Sequence, residues 1–118
     1  MIWVLVITGF VAAAALGAAV RYLTGLILNN DFPLGTLGVN LLGSFLLGLL
    51  VGADVGDHMG LVVGTGAVGA LSTWSATANE AAVMARSNEG YLAIAYIGLT
   101  VLSGVTFAWF GIRLGAAI

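Results

Sequence analysis

The chain of 118 residues has no cysteine, no lysine and one proline, with only three arginines and five acidic side chains. Without cysteine there is no disulfide framework and no thiolate chemistry, and the redox compartment stays undetermined. Without lysine, and at a net charge of −2, the chain lacks the basic footprint that nucleic-acid binding needs. No nucleophile sits beside a base and no phosphate-cradling loop stands out, so a non-enzyme is expected. What is abundant is apolar: hydrophobic residues make up 61% of the chain and charged ones 7%, with a mean hydropathy of +1.15. A soluble domain of this size could not cover so much apolar surface with so few charges. Lipid is therefore the expected solvent for most of residues 1–118, read as a single domain.

A crossing helix needs about 20 apolar residues to span a hydrocarbon core of ~30 Å. Four such stretches fit: Ile2 to Leu28, Gly35 to Ala53, Gly60 to Arg86 and Tyr91 to Ala117. Polar turns at residues 29–33, 54–58 and 87–90 separate them, short enough that consecutive helices should be antiparallel neighbours. The first stretch, with its Ala-Ala-Leu-Gly-Ala-Ala run, also has a rival reading as a signal peptide. No basic residue precedes it and Arg21 lies inside it, so a retained helix is expected. Arg21 and Arg86 fall on one side and Arg113 on the other, a bias too small to fix orientation. Insertion both ways round, and hence an antiparallel dimer, is permitted.

Small residues recur at four-residue spacing. The first stretch has Gly9, Ala13, Gly17 and Arg21, and the second has Thr36, Asn40, Ser44, Gly48 and Gly52. The last offers Tyr96, Thr100, Ser103, Gly104, Phe107 and Gly111. Such stripes stay near one helix face and let backbones approach closely in lipid. Tight packing accounts for the glycines. Asn40 admits two readings, as interhelical glue or as a pore-lining amide offering N–H donors to an anion. Arg21 likewise reads either as an interfacial anchor or as the positive vestibule of an anion path.

Residues 69–80, GALSTWSATANE, interrupt the third stretch. Gly64, Gly66 and Gly69 weaken helix continuity, and Ser72, Thr73 and Ser75 compete with the helical ladder for backbone groups. Thr77 to Glu80 fits a capping box. Two half-helices with a break near Gly69 to Ser75 are expected, the alternative being one continuous helix with polar residues facing its neighbours. Irregular backbone at membrane depth survives only when buried in protein or lining a wet cavity.

These residues resemble the CrcB/Fluc fluoride channels. The resemblance is carried by Ala15 to Tyr22 (ALGAAVRY), by Pro33 to Phe45 (PLGTLGVNLLGSF) and by the interrupted third stretch ending at Glu80, and it covers all four spans. It implies an all-α membrane protein of the cell membrane, with four transmembrane helices, the third broken near its middle. It further implies an antiparallel dual-topology homodimer that passes fluoride passively out of the cytoplasm through pores between subunits. By position, Asn40 would line the anion pore with Trp74, Ser75, Thr77 and Tyr96. Arg21 would sit in the vestibule and Glu80 along the continuation of the path. A structural Na⁺ would be held by the backbone carbonyls of Gly69 and Ser72. The family's pattern at the break is close to TTFSTF, with two phenylalanines along the anion path. Here residues 72–77 read STWSAT, so Trp74 replaces one ring and Thr77 the other. That departure raises a second reading, in which the chain is one subunit of a heterodimeric fluoride channel, its own pore degenerate and inactive alone.

Other classes fit less well. A small proton-coupled exporter needs a carboxylate in the first span, and residues 1–28 contain none. A purely structural packing subunit would leave Asn40 and Arg21 as glue and anchor only. Asp54, Asp57 and His58 read as a solvated turn rather than a metal cluster. Trp3, Trp109 and Tyr91 read as interfacial belt residues.

Overall fold

A computed structural model describes residues 1–30, 32–69 and 74–118. It is helical throughout, with no strand among the described residues. Helix α1 spans Ile2–Leu28, α2 spans Leu34–Ala53, and the short α3 spans Asp57–Met59. A π-helical run then covers Gly60–Val68, α4 spans Trp74–Arg86, and α5 spans Gly90–Ala117. Among the described residues, α1, α2 and α5 are the three helices long and apolar enough to cross a membrane. At 1.5 Å per residue, the 20 residues of α2 rise ~30 Å, the thickness of a hydrocarbon core.

The turns are closed by residues suited to them. Asp54 ends α2 in the left-handed conformation, φ 54° and ψ 53°, its N–H reaching back to Leu50 and Val51. Asn88 does the same after α4, at φ 61°, and the Glu89 N–H then bonds to the Met84 carbonyl at 2.9 Å. Asp and Asn tolerate that region because their short polar side chains bond locally. The chain can therefore reverse within four residues and start α5 beside α4.

Contacts between helices give their directions. The glycines of α2 and α5 interlock in parallel: a Cβ on Gly48 would lie 2.3 Å from the Ala108 carbonyl oxygen, and one on Gly52 2.2 Å from that of Ile112. From the other side, a Cβ on Gly111 would meet the Phe45 oxygen at 2.2 Å, and one on Gly115 the Leu49 oxygen at 2.3 Å. Only glycine permits backbones to touch this way, which is how helices associate where lipid supplies no hydrophobic contrast. The π-helical run lies parallel to α1 more loosely, with a Cβ on Gly66 falling 3.2 Å from the Phe10 oxygen. A compact core of Ala81, Met84, Ala93 and Tyr96, flanked by Phe32, Leu37 and Leu92, joins α4 to α5. Phe32 stands edge-on to Tyr96, with ring centroids 5.4 Å apart.

Two expectations change. The stretch from Gly60 was read as ordinary helix, but its backbone is wound wider, with the Gly69 N–H reaching the Gly64 carbonyl five residues back. Glycines at 60, 64, 66 and 69 leave the backbone free to depart from the tighter winding at little steric cost. Thr77 does not cap a helix, because α4 is already formed at Trp74 and Thr77 lies inside it, fully buried. Its hydroxyl is engaged across the helix interface instead. The centre of the expected break, residues 70–73 with Ser72 among them, lies outside the described residues.

Candidate functional site: a buried polar chain and a lateral groove

Hydroxyls in lipid-facing helices have a default partner, the carbonyl four residues back. Thr8 bonds to Val4, Thr24 to Val20 and Thr106 to Leu102, at 2.7–2.8 Å, and Ser103 bonds to Leu99 likewise. These groups are satisfied within their own helices. The polar residues of α2 and α4 behave differently, bonding from one helix to the next.

The Asn40 amide, on α2, donates to the Thr77 hydroxyl on α4 at 2.8 Å. Thr77 is also hydrogen-bonded to Tyr96 on α5, and the Tyr96 hydroxyl donates to Glu80 Oε2 at 2.8 Å. The other carboxylate oxygen of Glu80 accepts from the Thr36 hydroxyl at 2.7 Å and, more distantly, from the Asn29 amide at 3.5 Å. Asn29 donates in turn to the Thr36 hydroxyl at 3.0 Å. The result is a continuous hydrogen-bonded chain from the α1–α2 turn to the middle of α2. Asn40 and Thr77 are 9% and 0% exposed, and Tyr96 is fully buried. Buried polar groups are tolerated when every one has a partner, and no buried side-chain nitrogen or oxygen among the described residues lacks one.

Beside Asn40 the surface opens into a lateral groove of about 420 Å³ between α2 and α5, with Ser44, Trp74, Thr100 and Gly104 along its walls. The Thr100 hydroxyl is turned back to the Tyr96 carbonyl at 2.8 Å, whereas Ser44 lies beside Gly104, where a Cβ would meet its Oγ at 3.5 Å. The groove thus sets an amide, hydroxyls and an indole into an apolar wall.

The expected site residues divide into four groups. Asn40, Thr77, Tyr96 and Glu80 come together in the buried chain, with Thr77 and Tyr96 behind the groove rather than on its surface. Trp74, more than half exposed, shares the groove with Asn40, and Ser75 is exposed on α4. Arg21 is half-buried about two turns before the end of α1 and does not line the groove. Gly69 closes the π-helical run in helical conformation, at φ −62° and ψ −36°; its expected companion Ser72 is not described. Asn29 was legible only as part of a polar turn. The signal that marks it is its place seven residues before Thr36, within reach across the turn. Among the expected belt residues, Trp3 sits edge-on to His58 at 5.3 Å, and Arg113 lies over the Trp109 ring at 5.5 Å.

The comparisons with known proteins point one way. Residues 6–112 match the family model described as CrcB-like protein, Camphor Resistance (CrcB). The chain is 43% identical over 102 residues to a Fluoride-specific ion channel FluC 1 of Geobacillus kaustophilus, covering 84% of this chain and 88% of that one. It is 40% identical over 118 residues to a Fluoride-specific ion channel FluC 2 of Moorella thermoacetica, covering 94% and 93%. A Fluoride-specific ion channel FluC 2 of Rhodococcus jostii is 38% identical over 102 residues, covering 85% and 90%.

Proposed function

The chain belongs to the CrcB-like family, and from that premise we propose that it is a fluoride-specific ion channel whose anion path follows the groove at Asn40. The observation that carries this reading is Asn40 itself, an amide held in place by Thr77 at 2.8 Å while lining a groove of about 420 Å³ with Ser44, Trp74 and Thr100. Fluoride is small and strongly hydrated. A path that strips its water must return polar contacts, since moving an unsolvated ion into an apolar wall is prohibitive. Amide, hydroxyl and indole groups supply such contacts and carry no fixed charge that would trap the ion.

The groove is open along its flank, and the chain is a slab with extents of 53 × 30 × 19 Å. A second copy is the natural missing wall. We therefore read the working unit as a dual-topology dimer in the cell membrane, each chain crossing four times, with α3, the π-helical run and α4 together forming the third crossing. A structural Na⁺ at the dimer centre belongs to this reading. Gly69 suits it in kind: it follows directly on the π-wound run Gly60–Val68, and main-chain carbonyls at irregular helical backbone are the oxygen ligands a Na⁺ takes. Gly69 and Ser72 would hold the ion through main-chain carbonyls.

The test is fluoride efflux from liposomes holding the purified chain, with chloride as the comparison ion. Fluoride release well above that of empty vesicles, with chloride retained, is expected. Release no faster than from empty vesicles overturns the homodimeric channel and leaves a paired-subunit role as the surviving form.

A further inference from the structure

The α1–α2 turn carries a side chain that the site residues alone do not explain. Asn29 makes three hydrogen bonds: its Oδ1 accepts from the Thr36 N–H at 3.1 Å, and its Nδ2 donates to the Thr36 hydroxyl at 3.0 Å and to Glu80 Oε1 at 3.5 Å. The first bond closes the opening turn of α2, an ordinary structural task. The other two point at the carboxylate. Because the Thr36 hydroxyl oxygen accepts a hydrogen bond from the Asn29 amide, its own O–H is directed to Glu80, at 2.7 Å. The relay thus has a fixed sense, from Asn29 through Thr36 to Glu80, and Tyr96 closes on the other oxygen at 2.8 Å. Asn29 and Glu80 also line a cleft of about 190 Å³ with Asn30, Pro33, Val83 and Met84, at the loop end of the buried chain.

We propose that Asn29 is a positioning residue of the anion path, which holds the Glu80 carboxylate against Thr36 and Tyr96 at the loop-side mouth. It rests on the fluoride-channel reading above. A carboxylate loose in a path for anions repels them, whereas one fixed by donors on both oxygens presents a constant and partly neutralised field.

Asn29→Asp separates the two tasks, since it keeps an acceptor for the Thr36 N–H but replaces the donor facing Glu80 with a second negative charge. The variant is expected to assemble and melt as wild type, while fluoride efflux from liposomes falls by roughly tenfold or more. In a Glu80→Gln background the same substitution should change efflux by less than about twofold, because the coupling partner is gone. Infrared difference spectra, with Glu80→Gln to assign the band, should show the Glu80 carboxylate stretch displaced in Asn29→Asp. Unchanged efflux, an equal fall in both backgrounds, or an unmoved Glu80 band overturns the proposal. If Asn29→Asp fails to assemble, Asn29→Ser takes its place, with a hydroxyl able to cap Thr36 but too short for Glu80. Failure of both to assemble makes Asn29 a helix cap only and overturns the proposal too. Absence of efflux from the wild-type chain counts against the channel reading, and the infrared band then decides the role of Asn29 independently.

Discussion

Asn40 and Thr77 show how much one residue's surroundings add to its identity. The sequence left Asn40 open between glue and pore lining, and the structure gives it both settings: a cross-helix bond to Thr77 and a place on the groove wall. Asn40→Asp should leave the elution volume on size exclusion unchanged while abolishing flux. A carboxylate about 4 Å from the ion opposes it by about 4 kcal/mol at an effective dielectric near 20, which is on the order of 10³ in rate. Wild-type efflux in that variant would remove Asn40 from the path. Thr77 was expected to face the anion as the replacement for a ring, but it is fully buried between Asn40 and Tyr96. Thr77→Phe should therefore lower fluoride throughput, by overpacking that costs ~1–3 kcal/mol and by removing the Thr77 acceptor that holds the Asn40 amide. Throughput above wild type would contradict this placement. Nothing in a single sequence distinguishes a threonine lining a groove from one behind it, because one step along a helix turns the side chain by 100°.

At the scale of elements, apolar run lengths were enough to place α1, α2 and α5, since lipid demands long unbroken helices and polar turns end them. The glycine stripe also foretold close packing, and Gly48, Gly52 and Gly111 each meet a neighbouring backbone carbonyl. What periodicity missed was the winding of Gly60–Val68, because a wider helix uses the same residue types as a normal one. Thr77 to Glu80 misled for a related reason: the capping-box pattern is local, and Glu80 is drawn instead to Thr36 and Tyr96. The glycine contacts make a sharp comparison. Gly111→Leu should part α2 from α5 and lower the melting temperature steeply or prevent assembly, since even its Cβ would lie 2.2 Å from the Phe45 oxygen. Gly38→Ala, with nothing within 4 Å of the added carbon, should be neutral or raise stability by about 0.5–1 kcal/mol. Equal melting shifts in the two variants would refute the interlock.

For the whole molecule, the arginine count gave no orientation, and the dual-topology reading turns that into a measurable outcome. A chain without cysteine accepts a single reporter, and Ser87→Cys in the α4–α5 turn should be modified by an impermeant maleimide in roughly half the copies. Adding lysines to that turn should push the population to one orientation. Uniform labelling, or none, in the unmodified background would argue against insertion both ways round. The interlocked glycines carry a mechanical consequence. With carbonyls seated directly on opposing α-carbons, α2 and α5 cannot slide past each other without unseating several such contacts together. They form a stiff double beam. Compliance in the molecule then belongs to the π-wound run against α1, where the approach is looser, a Cβ on Gly66 lying 3.2 Å from the Phe10 oxygen against 2.2–2.3 Å across the double beam, so strain is expected to be absorbed there while the groove wall keeps its shape.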